Sequence, residues 1–169
     1  MTAVRTRGYS FQLAVVGLIV VADQLTKLLV RRGLELYDSA VVIPNLFSLT
    51  RVHNTGAAYG FLNGVDFPFK TVLLACVALA ALIGLGVYAA SLDQKQLLTR
   101  AGLTLVMGGA AGNLIDRVTA GYVLDFFDLY RGDWHFWAFN VADSAITIGV
   151  VLMILELLGL GRTRVSRAV

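Results

Sequence analysis

Four aspartates, Asp23, Asp116, Asp125 and Asp143, carry the candidate chemistry of this sequence, and three of them stand one helical turn from another polar residue. Asp23 lies four positions before Lys27, Asn113 three and four before Asp116 and Arg117, and Asn140 three before Asp143. Such spacings put each group on one helix face. Two carboxyls held close together in a poorly solvated site cannot both ionise, so one keeps its proton while the other serves as a base. The ionised member can take a proton from water as the protonated member polarises a carbonyl, which hydrolyses an amide without metal or covalent intermediate. Other chemistries lack their carriers: there is no HExxH, CxxC, GxSxG or P-loop, and His53 and His135 have no ligand-like spacing. No metal or cofactor is expected. Spacing alone leaves all four aspartates open as members of a pair.

The elements that must position these residues follow from the composition. Of 169 residues, 57% are hydrophobic and 15% charged, with a mean hydropathy of +0.74, whereas a soluble domain is about half apolar and a quarter charged. This is a membrane composition, and the length fits one domain. Disorder is excluded by the abundance of aliphatic and aromatic residues, and a disulfide framework by the single Cys76. The net charge of +3 and pI near 9.2 do not indicate nucleic acid, because the arginines gather at the edges of apolar runs rather than in one stripe.

Four stretches, residues 11–32, 69–90, 98–118 and 138–160, are long and apolar enough to cross a bilayer, which needs about 20 helical residues. The first has a rival reading as a signal peptide, with Arg5 and Arg7 ahead of it and Val20-Val21-Ala22 as a cleavage-like site; the apolar pattern continues through Leu25, Leu28, Leu29 and Val30, which favours a span. The density of Lys and Arg near span ends favours both termini in the cytoplasm, with Arg5, Arg7, Lys95, Arg100, Arg162, Arg164 and Arg167 inside. The two segments left outside, residues 33–68 and 119–137, are too long for plain connectors. Alternation over residues 47–51 predicts short strands, with turns at Gly56 and Gly60. The aromatics of 119–137, among them Tyr122, Phe126, Phe127, Trp134 and Trp137, predict a segment lying along the outer bilayer surface.

Charged residues inside spans are costly and need a reason. At the helical rise, Asp23 lies about 18 Å along the first span, Asn113 and Asp116 about 22 and 27 Å along the third, and Asp143 about 7 Å below the outer start of the fourth. All share the outer part of the bilayer. Gly108 and Gly112 allow close helix approach just beneath them. The expected object is a polar pocket among three helices, open toward the non-cytoplasmic face.

Five sequence blocks then resemble the signature of the bacterial lipoprotein signal peptidases, the signal peptidase II family. They are Asp23-Gln24-Leu25-Thr26-Lys27, Asn54-Thr55-Gly56-Ala57-Ala58, Gly112-Asn113-Leu114-Ile115-Asp116-Arg117, Val123-Leu124-Asp125-Phe126 and Phe139-Asn140-Val141-Ala142-Asp143-Ser144, in the family's order. The resemblance implies a mainly α polytopic fold: four transmembrane helices, a small extracytoplasmic β-cradle and an amphipathic surface helix. It implies an aspartyl endopeptidase of the bacterial inner membrane, a monomer without cofactor, that cuts diacylglyceryl-modified prolipoproteins on the N-terminal side of the lipobox cysteine. The family's catalytic pair falls on Asp125 and Asp143, and its supporting or substrate-positioning residues on Asp23, Lys27, Asn54, Asn113, Arg117 and Asn140. One departure is Trp137, where the family often has Pro.

Plainer roles stand beside these. Asn140 and Asp143 can cap the fourth helix; Asp125 can be a solvated loop acid like Asp128 and Asp133; Asp116 can pair structurally with Arg117, and Asp23 with Lys27. Asn54 before Thr55-Gly56 suits a turn, the third-span glycines suit packing, and Cys76 suits a small buried hydrophobe. Two other functions compete: a small proton-coupled transporter, which would place its carboxylate near the midplane or in a repeat, and a scaffold binding partner helices.

Overall fold

The computed structural model describes residues 2–57, 61–93 and 95–160. Ala58 and Gly60, and the C-terminal arginines from Arg162 onward, lie outside the described residues, as do the side chains of Arg5 and Arg7. The order is α1 (Thr2–Gly33), β1 (Ser39–Ile43), β2 (Phe47–Asn54), α2 (Lys70–Ser91), α3 (Leu97–Thr119), β3 (Val123–Arg131), β4 (Trp134–His135) and α4 (Val141–Leu157). The fold is mainly helical with one small antiparallel sheet, ordered β1-β2-β3-β4.

The helices fall on the four apolar stretches, with α4 beginning three residues later than the apolar run, at Val141. Two of them, α1 from Tyr9 and α2, are long and apolar enough to cross a membrane. α2 buries Lys70 alone, and leaves Val72, Leu73, Val77, Leu79, Ile83 and Val87 exposed. A helix apolar all round has no stable place in water, so such a surface fits a membrane protein. Cys76 is exposed rather than buried, because α2 leans chiefly on α3 and most of its circumference faces outward.

α3 is the central helix, packed on α1, α2 and α4. Close approach is made by its glycines. A Cβ on Gly108 would lie 2.8 Å from Ile19 of α1, and one on Gly112 would lie 2.6 Å from Asp23 Oδ2. On the opposite face Gly109 meets the Ala142 carbonyl and Gly102 meets Gly149 of α4 backbone to backbone.

The predicted alternation over residues 47–51 is β2, but its buried member is polar: Ser48 is 2% exposed and donates to Asp128 Oδ2 at 2.9 Å. Asp128 is therefore no solvated acid; it is buried and also meets His135 Nδ1 at 2.9 Å. Residues 119–137, expected only as a segment along the outer bilayer surface, carry β3 and β4, with Val52 opposite Asp125 and Asn54 opposite Val123. No amphipathic surface helix occurs among the described residues; residues 61–64 form turns. The physical reason is that Val123, Leu124, Asp125 and Phe126 are buried consecutively between the helix ends and β2, so β3 shows no period of two.

Candidate active site

Below the site lies a closed charge cluster. Asp23, Lys27 and Asp116 are each 0% exposed. Lys27 Nζ donates to Asp23 Oδ2 at 2.8 Å and lies 2.9 Å from Asp116 Oδ2, while Arg31 reaches Asp116 Oδ1 at 3.1 Å. Two cations thus balance two anions, the condition for burying charge at tolerable cost. The remaining carboxylate lone pairs hold backbone: Ala142 N–H donates to Asp23 Oδ1 at 3.0 Å and Leu124 N–H to Asp116 Oδ2 at 3.1 Å. The cluster therefore ties α1 and α3 to the start of α4 and to β3.

Above it stand the two carboxylates of Asp125 and Asp143. Asp125 arrives on β3; Asp143 arrives in the first turn of α4, whose cap is built by the site itself. The Asn140 side chain accepts from Asp143 N–H at 2.9 Å and the Asp143 carboxylate accepts from Asn140 N–H at 3.2 Å, a reciprocal capping box. The cap and the site are one structure. Asn140 Nδ2 also donates to Asp125 Oδ1 at 2.7 Å, so Asn140 holds one carboxyl by its side chain and the other by its backbone N–H. Asn113 Nδ2 donates to Asp143 Oδ1 at 2.8 Å, and Asn54 Nδ2 to Asp125 Oδ2 at 3.0 Å. Asn54 meanwhile accepts from Gly56 N–H at 2.9 Å, the turn expected of it.

Asp125 is 3% exposed. Its burial, and next the neighbouring Asp143 charge, push its carboxyl up to about 7, against the amide donors of Asn54 and Asn140 and the charge of Lys27, which pull it down. Both carboxyls open into a cavity of about 610 Å³, lined on the polar side by Asn54, Asn113 and Arg117 and on the apolar side by Ala78 of α2, Ala110 of α3 and Ile146 of α4. Arg117 turns away from Asp116. It donates to the Gly56 carbonyl at 3.1 Å and takes part in no ion pair among the described residues. The expected Asp116–Arg117 pair is thus replaced by Asp116 with Lys27 and Arg31, because a helix turns about 100° per residue and adjacent side chains diverge.

The eight residues named from the sequence accordingly form one connected set, in two layers. Asp125, Asp143, Asn54, Asn113 and Arg117 line the cavity; Asn140 joins the carboxyls from behind; Asp23 and Lys27 are sealed below. Two participants escaped sequence reasoning. Arg31 continues the four-residue stripe Asp23, Lys27, Arg31, a signal that was present. Gln24 donates to Asp23, to the Gly112 carbonyl and to Asp116, a tie across helices that spacing does not announce. His53 stacks on Tyr122 and His135 pairs with Asp128, both away from the cavity. No cluster of candidate metal ligands occurs among the described residues.

The chain is similar to known proteins along most of its length. A family model described as signal peptidase (SPase) II matches residues 15–159. The lipoprotein signal peptidase of Geobacter metallireducens is 45% identical over 139 residues, covering 82% of this chain and 85% of that protein. The lipoprotein signal peptidase of Geobacter sulfurreducens is 44% identical over 148 residues, covering 88% and 91%. A bacterial membrane enzyme structure obtained in meso at 2.3 Å resolution superposes with a TM-score of 0.81 at 33% identity, covering 95% of this chain and 94% of that one. A second, at 1.9 Å resolution, gives 0.78 at 31% identity, covering 88% and 93%.

Proposed function

This chain belongs to the signal peptidase II family of aspartic peptidases, and from that membership we propose that Asp125 and Asp143 are its catalytic dyad, acting on diacylglyceryl-modified prolipoproteins. The observation that carries the proposal is the joint hold of Asn140 on both carboxyls, which turn toward one cavity. Asp125, whose carboxyl burial and the Asp143 charge push up to about 7, is the member that carries the dyad's proton. Asp143 is the ionised partner. Each acid takes two N–H donors, but only Asp143 also lies in the positive field of a helix N-terminus, which favours its charge.

In the proposed reaction Asp143 takes a proton from water as that water attacks the scissile carbonyl, and Asp125 donates its proton to the carbonyl oxygen. A tetrahedral diol results. Its collapse returns one proton to Asp125 and delivers another from Asp143 to the leaving amine, restoring the dyad. Arg117 and Asn54 form the cavity's polar edge, suited to holding the substrate backbone. The bond cut is the one N-terminal to the lipidated cysteine. In this reading the chain crosses the inner membrane four times with both termini in the cytoplasm, and the chemistry lies near the extracytoplasmic face. The apolar wall from Ala78, Ala110 and Ile146 suits lateral access for a substrate whose acyl chains stay in lipid. The enzyme acts as a monomer without cofactor.

The test is cleavage of a lipidated prolipoprotein by purified protein. Asp125→Asn and Asp143→Asn each abolish turnover while unfolding behaviour is kept, since an amide can neither hold nor surrender the proton. Substantial turnover in either variant refutes the dyad.

A further inference from the structure

We propose that Lys27 is a positioning residue for the dyad: from beneath the cavity, its ammonium dictates which end of the Asn113 amide faces Asp143. The inference rests on the dyad reading above and concerns how that dyad is held.

Lys27 is fully buried and does not line the cavity, so it touches no substrate. Its contacts are Asp23 Oδ2 at 2.8 Å, Asp116 Oδ2 at 2.9 Å and Asn113 Oδ1 at 3.1 Å. An ammonium only donates, so Asn113 must turn its oxygen toward it. With the oxygen held, the amide nitrogen is directed to Asp143 Oδ1 at 2.8 Å. Asn140 Nδ2 adds a second donor to the same Asn113 oxygen at 3.2 Å. A flipped Asn113 would face two donors with its own N–H groups and the Asp143 carboxylate with its oxygen. Removing Lys27 takes away the only cation on the Asn113 oxygen and leaves the longer Asn140 contact and the Asp143 carboxylate against that flip. Charge balance alone does not explain the third Lys27 contact, since Asp23 and Asp116 already answer Lys27 and Arg31; the contact goes to a neutral amide on the dyad side.

The experiment is a double-mutant cycle on the purified full chain, measuring steady-state cleavage of a diacylglyceryl prolipoprotein peptide. Lys27→Met and Asn113→Ala each lower kcat by about tenfold or more, the effect of one hydrogen bond to a charged group. KM is unchanged in Lys27→Met. The double variant is no slower than Asn113→Ala, because Lys27 acts through that amide. Losses that multiply, or a Lys27→Met effect confined to KM, overturn the proposal.

Lys27→Met leaves a buried carboxylate without its cation, which is strongly destabilising. If it does not accumulate folded, the cycle is run on Asp23→Asn, which restores zero net charge to the cluster while its amide oxygen still accepts from Ala142 N–H. Asn113→Asp tests the same claim with Lys27 untouched: it keeps the Lys27 acceptor and removes the N–H to Asp143, so retained turnover in it also overturns the proposal. Asp125→Asn, run alongside, separates the two levels. Turnover in Asp125→Asn defeats the dyad itself, whereas an inactive Asp125→Asn with multiplicative losses defeats only the role of Lys27.

Discussion

Asn140 shows how much a single side chain carries at this site. Its oxygen caps α4 through Asp143 N–H, and its nitrogen holds Asp125. Asn140→Ala therefore removes a helix cap, costing about 1 kcal/mol of stability, and a donor to a buried acid, costing about 10- to 100-fold in turnover. Thermal unfolding in detergent and a cleavage assay separate the two effects; equal small losses in both would reduce Asn140 to a cap. Asp125 sets a second expectation. Its carboxyl is raised to about 7 in the fold, so the dyad's proton is lost as pH rises through that value, and kcat/KM falls on the alkaline side with a midpoint near 7. The sign for stability agrees. The native state binds the Asp125 proton more tightly than the unfolded chain, so this group's contribution is fully present below about pH 4 and fades as pH rises toward 7. Asp125→Asn should flatten the dependence of the unfolding temperature on pH across that window.

The helices set distances that the side chains then use. Gly112 lets α3 approach α1 closely enough for Asp23 to reach the α4 backbone. In Gly112→Ala the new methyl would sit 2.6 Å from Asp23 Oδ2, an overpacking that costs about 1–3 kcal/mol. The check is a lower unfolding temperature in detergent together with reduced turnover; an unchanged protein would show that α1 and α3 can separate freely. At this scale the helices were legible in the sequence, because Asp23 and Lys27, Asn113 and Asp116, and Asn140 and Asp143 repeat at three or four within apolar runs. β2 was legible from its alternation. β3 was not: its first four residues are buried on both faces, so the strand period is erased, and Asp125 stood equally as a loop acid and as one of four candidate pair members until the family blocks singled it out. Asp128 was misjudged for a related reason, since only the β2–β3 register brings Ser48 beside it.

For the molecule as a whole, the cavity's apolar side is its link to the surroundings. Its walls come from α2, α3 and α4, with the small residues Ala78 and Ala110 facing Ile146. Ala78→Trp should narrow lateral access and raise KM for a diacylglyceryl substrate with little change in thermal stability, because α2 packs chiefly on α3 and Ala78 lines the cavity. Lys95→Glu, on the connection between α2 and α3 at the opposite end from the site, should leave turnover unchanged; a large loss there would contradict access from the outer leaflet. The most direct measurement is a crystal structure with a non-cleavable lipopeptide carrying a hydroxyl in place of the scissile carbonyl. The account predicts that this hydroxyl lies within hydrogen-bond reach of both Asp125 and Asp143. A hydroxyl bound by only one of them, with the other turned away from the peptide, would contradict it.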